Sequence, residues 1–140
     1  MPGATQNKSA DTGEQPTGQE IEAIAREALD ALPDQFRALA ADAVIQVTDW
    51  PSFEIMRALA AATPYDILGL FEGVGRAQAP ATRWTGQLPN MIWLFRQPIL
   101  EYWRAGDNTL MDVVNHVLIH EIGHHFGLSD QDMTRIERRD

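Results

Sequence analysis

Apolar residues Ile21, Ile24, Ala25, Ala28, Leu29 and Leu32 recur at three- and four-residue steps from Gln19 onward, which predicts an amphipathic helix. Pro33 interrupts that pattern and opens a second helical piece from Asp34 through Phe36 and Leu39. Ala43 to Thr48 is a short β-branched run and predicts the first strand. Ser52 is placed to cap a helix from Phe53 to Ala62, with Ile55, Met56 and Leu59 turned inward. Ile67 to Glu72 predicts a second strand, followed by a long loop from Gly73 to Gly86 that contains Pro80 and Arg83. Met91 to Phe95 predicts a third strand, and Pro98 marks its end or an edge position. Ile99 to Arg104 fits a further strand or a helical turn equally well. Thr109 with Asp112 forms a capping-box pattern that opens a long helix from Leu110 to Phe126. Its apolar residues Val113, Val114, Val117, Leu118 and Ile122 cover much of the circumference, so this helix belongs in the interior, packed on the sheet.

Residues 1–18 contain Gly, Pro and small polar residues with no large apolar side chain after Met1, and they predict a disordered tail. Residues 19–140 remain for one compact domain with a core of its own. The formal net charge is −9, which argues against a nucleic-acid backbone or an anionic membrane as the main partner. There is no cysteine, so disulfides and thiolate metal sites are excluded. No apolar run reaches membrane-spanning length, and the N-terminus lacks the basic-then-apolar pattern of a secretion signal. A cytoplasmic location is the expectation.

All four histidines fall between His116 and His125, inside the predicted long helix. His120, Glu121, His124, Gly127 and Asp130 read as H-E-x-x-H-x-x-G-x-x-D, a metallohydrolase signature. Helix positions four apart stand one above the other, so His120 and His124 can present two imidazoles to one ion. Glu121 lies on the neighbouring strip, within reach of a water polarised by that ion, and is the candidate general base. A catalytic zinc needs a third protein ligand, which must come from Asp130, Asp132 or Glu137. Asp130 is preferred, because Gly127 permits a sharp exit that brings it back beneath the helix end. Glu137 would require another helix, and little chain remains to build one. His116 and His120 form a rival pair on the same face, but that pairing leaves Glu121 badly placed and gives Gly127 no role. His116 is therefore read as a packed or supporting histidine, and His125, about 100° round the helix from His124, as a hydrogen-bonded structural one. Trp50, Trp84, Trp93 and Trp103 read as core or pocket wall. Arg83, Arg96 and Tyr102 are candidates for polarising a substrate carbonyl, though a structural role is the simpler reading of each.

The segment His120-Glu121-Ile122-Gly123-His124-His125-Phe126-Gly127-Leu128-Ser129-Asp130 resembles the metal motif of the small bacterial zincin-like metallopeptidases, also called minimal metalloproteases. The resemblance extends upstream through Val47 to Pro51, Leu68 to Gly73 and Ile92 to Ile99, and covers roughly Ile21 to Asp130. It implies His120, His124 and Asp130 as metal ligands and Glu121 as general base. More widely the motif is similar to that of metzincins, with aspartate in place of the last histidine as in snapalysin. A metzincin carries a methionine turn well downstream. Here ten residues follow Asp130, and Met133 stands too close to the motif for that role.

These readings converge on a small α+β zincin-like domain: a short mixed sheet packed against helices on one side, among them the H-E-x-x-H helix. The expected function is zinc-dependent hydrolysis of peptides or unstructured segments, with the substrate extended along an edge strand, Met91 to Phe95. The rival expectation is a non-catalytic metal-binding or protein-interaction module, which the short chain favours and the intact Glu121 disfavours.

Overall fold

The computed structural model describes residues 15–72 and 90–138. Helix α1 (Gly18–Asp30) and the short helix α2 (Asp34–Leu39) lead into strand β1 (Val44–Thr48) and helix α3 (Phe53–Ala58). A 3-10 turn at Pro64–Asp66 precedes strand β2 (Gly69–Glu72). Strand β3 (Met91–Phe95) runs directly into helix α4 (Arg96–Ala105), and helices α5 (Leu110–His125) and α6 (Asp130–Glu137) complete the described chain. The architecture is α+β with one small mixed sheet, as the hydrophobic pattern predicts.

The sheet order is β1-β3-β2, with β1 parallel and β2 antiparallel to β3. This corrects the edge assignment of Met91 to Phe95: β3 is the central strand, paired with β1 from Met91 to Phe95 and with β2 from Met91 to Leu94. Pro98 misled because it sits in the first turn of α4, where a missing N–H has no helical partner to lose. Ile99 to Arg104 continues that helix. Among the described residues, the edges are β1 and β2.

Helices α1 and α5 pack on each other and reach the sheet through β1 and β2, respectively. Ile21 and Ala25 of α1, Ile92 and Leu94 of β3, and Val114, Leu118 and Ile122 of α5 meet in one core with essentially no exposure. Burying side chains of this size stabilises by roughly 1.5–3 kcal/mol each before conformational entropy is counted. The Thr109–Asp112 capping box is present in both directions and fixes the start of α5.

Helix α1 starts at Gly18, with Thr17 as its cap and Glu20 closing a second capping box. The Pro16 carbonyl accepts a hydrogen bond from Arg96 Nε at 2.7 Å, so residues inside the expected tail are tied to the domain. Residues 1–14 and the expected loop from Gly73 to Gly86 lie outside the described residues. Helix α3 is shorter than predicted and buries none of its residues; Leu59, expected to face inward, is 48% exposed. Among the described residues, no helix is long and apolar enough to cross a membrane.

Candidate metal centre

The motif lies on α5, whose buried residues from Leu110 to Gly123 lock the helix into the core. What that packing leaves open is a stripe running through Asp112, His116, His120 and His124 at four-residue steps, with Glu121 beside it. The His116 and His120 rings lie 4.1 Å apart between centroids, and the His120 and His124 rings 6.1 Å. Three imidazoles thus share one face of a helix whose other side is buried in the core.

The chain after α5 decides what faces those imidazoles. Phe126 closes the helix, and Gly127 takes φ 82°, a left-handed conformation that turns the chain back at no steric cost only for glycine. Ser129 then caps α6, its Oγ accepting from the Asp132 N–H at 3.0 Å. Met133 is fully buried and packs directly on Gly123, where a Cβ would run into its Sδ and Cγ. Glycine inside the H-E-I-G-H stretch is therefore what lets α6 lie close against α5. This corrects the expectation that too little chain remains for another helix. Eight residues suffice, because Met133 and Ile136 anchor them to an existing core.

Two carboxylates reach the histidine stripe from α6. Asp130 Oδ1 is 3.7 Å from His124 Nε2, in a pair that is open to solvent, with the Asp130 side chain 90% exposed. Glu137 is 27% exposed and spans two rings: Oε2 is 2.8 Å from His116 Nδ1 and Oε1 is 3.2 Å from His120 Nε2. Among the described residues, His116, His120 and Glu137 form a group whose ligand atoms all lie within 4.8 Å of one another. The structure thus brings Asp130 to His124 and Glu137 to His120. The sequence signals for Glu137 were the Ser129 cap, the acidic first turn at Asp130 and Asp132, and the apolar pair Met133 and Ile136 at helical spacing.

Glu121 is partly buried. Burial holds its carboxyl above the ordinary value of 4.5, and the nearby positive charge of His124 opposes that rise. The folded state therefore binds this proton more tightly than the unfolded chain does. The destabilisation is absent below 4.5, grows as pH rises from there to the folded value, and is complete above it. Chelator-treated Glu121→Gln protein should accordingly be more stable than the parent at neutral pH, by a margin that shrinks on acidification. Denaturant unfolding at several pH values measures this. A margin independent of pH would show that no such cost exists.

The other expected participants are placed elsewhere. His125 contacts aromatic rings, Phe71 at 4.6 Å and Phe126 at 4.8 Å between centroids. Arg96 binds Asp49 and Pro16, and so joins β1 to the start of α1. Tyr102 stacks parallel to His116 at 6.5 Å. Trp103 is core, Trp93 donates to Glu72 Oε1 at 3.0 Å, and Trp50 packs edge-on against Tyr65. Arg83 and Trp84 lie outside the described residues.

Among protein-family models, one described as a zincin-like metallopeptidase matches residues 40–139, a span that includes the sheet, the motif helix and α6. No curated protein matches the chain.

Proposed function

We propose that this chain, which belongs to the zincin-like metallopeptidase family, hydrolyses peptide bonds with a zinc ion held by His120, His124 and Asp130 and with Glu121 as general base. The observation that carries the reading is the geometry of α5: His120 and His124 stand one turn apart on its open stripe, Asp130 Oδ1 approaches His124 from α6, and the partly buried Glu121 lies beside them. The donor chemistry fits zinc: two imidazoles one turn apart, and Asp130 Oδ1 already 3.7 Å from His124 Nε2. Two nitrogens and one oxygen also leave a coordination position free, which catalysis requires.

When bound, zinc supplies a Lewis acid that makes water nucleophilic near neutral pH and polarises the scissile carbonyl. Glu121 takes the proton from the attacking water and delivers it to the leaving amine nitrogen. Its burial favours that cycle, since a carboxyl held above its ordinary range accepts the proton more readily. His120 and His124 would hold the ion from α5, and Asp130 from the first residue of α6.

Substrate alignment fits the side of β2 that faces away from β3, which has no partner among the described residues. Phe95 N–H donates to the Leu68 carbonyl at 3.0 Å, and the register continues through Leu70↔Trp93 and Glu72↔Met91. In an antiparallel ladder the intervening residues, Gly69 and Phe71, turn their backbone groups the other way. A peptide added there would run beside α5, which packs on β2. The reading places this work in the cytoplasm, on peptides or unstructured segments, with neither nucleic acid nor membrane as partner; the net charge of −9 supports it.

A second reading, a non-catalytic metal-binding or interaction module, draws on Glu137. Its carboxylate at His120 would supply a fourth donor and close the site. Paired variants test the ligand set on which the first reading rests. Under the peptidase reading, Asp130→Ala loses hydrolysis, while His116→Ala keeps both zinc and hydrolysis. The opposite pattern, with Asp130 dispensable and His116 required, would overturn the ligand set.

A further inference from the structure

We infer that His116, His120 and Glu137 form a second metal position, one turn up the helix from the first and mutually exclusive with it because both use His120. The inference rests on the proposed ligand set only in calling this position the second. Three donors converge without rearrangement: Glu137 bridges His116 Nδ1 at 2.8 Å and His120 Nε2 at 3.2 Å. Two imidazoles and a glutamate are a donor set that zinc accepts, and their ligand atoms already lie within 4.8 Å of one another.

The convergence is built rather than incidental. Met133 seats α6 on Gly123, Ile136 adds a partly buried contact, and Glu137 follows at the end of the same helix. Tyr102 stacks over His116 from α4. Glu137 and His120 are mostly shielded, at 27% and 21% exposure, whereas His124 and Asp130 stand at 58% and 90%. Shielding strengthens the attraction between a carboxylate and a cation, so this position competes with the exposed one on comparable terms.

His120 Nε2 has a single lone pair, and the ion that takes it at one position denies it to the other. Each chain therefore holds one ion through His120. Moving up one turn shifts the ion by about 5 Å towards His116. On the helix Glu121 stands three residues from His124, on the neighbouring strip, and five from His116, well round the circumference, so an ion moved up to His116 and Glu137 is farther from its base. The upper position is a resting place in which the metal is retained and hydrolysis is off.

Zinc binding by equilibrium dialysis tests this on the full chain, with circular dichroism confirming the fold of each variant. His124→Ala removes an exposed ligand of the lower position, so that variant should still bind one zinc per chain. Adding Glu137→Gln should then weaken binding on the order of 100-fold or more, since losing a ligand costs at least as much as losing its supporting partner. Cobalt(II) provides a second readout: its visible absorption should persist in His124→Ala and disappear in the double variant. If the parent binds one ion and His124→Ala binds none, the second position does not exist and the proposed ligand set stands. If His124→Ala binds zinc and Glu137→Gln leaves that binding unchanged, the retained ion is held elsewhere and the inference also fails. If the parent itself binds none, both fall.

Discussion

Glu121→Gln protein should keep its zinc and its fold while hydrolysis drops by about 10²-fold or more. The amide has nearly the shape of the carboxylate, so the packing of α5 is undisturbed, and Glu121 is in neither ligand set. What the amide lacks is a site that can take a proton from water and return it to the leaving nitrogen. Because the carboxyl is held above its ordinary value, the parent should also lose activity on its acid side as Glu121 becomes protonated. The residual activity of the variant should lack that dependence. Kinetics across pH on protein of known zinc content would read both effects. A variant as active as its parent would assign the proton transfer to another group.

His120→Ala should cause the larger loss, because it is the one residue common to both carboxylate-facing sets. Asp130 approaches His124 and Glu137 approaches His116, but neither pair holds a third strong donor once His120 is gone. Zinc affinity should fall well beyond 100-fold, and hydrolysis should fall to the background rate. The contrast with His124→Ala is informative, since that variant should lose hydrolysis and keep an ion. His120 side-chain exposure is only 21%, so its replacement by alanine also removes packing, and unfolding should be monitored alongside. Stoichiometric zinc in a folded His120→Ala protein would contradict the assignment.

The motif and the core were legible in the chain because both follow from local periodicity. Val114, Leu118 and Ile122 repeat at four-residue steps and are buried; His116, His120 and His124 repeat at the same steps and are not. Capping at Thr109 and Ser52 was equally readable, because a cap involves only residues three apart. Strand order was not. Nothing local distinguishes a central strand from an edge, and Pro98 belongs to the helix that follows β3 and says nothing about its neighbours.

The position of Glu137 was hidden for a different reason. Its meeting with His116, 21 residues away, depends on the Gly127 turn and on Met133 finding Gly123. An eight-residue segment is too short to be a stable helix alone, and here tertiary packing supplies what propensity does not.

Peptide cleavage by zinc-loaded protein is the direct test of the central claim. A diverse peptide library should be cut by the intact chain, with cleavage blocked by a hydroxamate peptide and absent from Glu121→Gln protein carrying the same zinc. If zinc-loaded protein cuts nothing and binds no hydroxamate, its metal has no free position, and the chain is a metal-binding module rather than a peptidase.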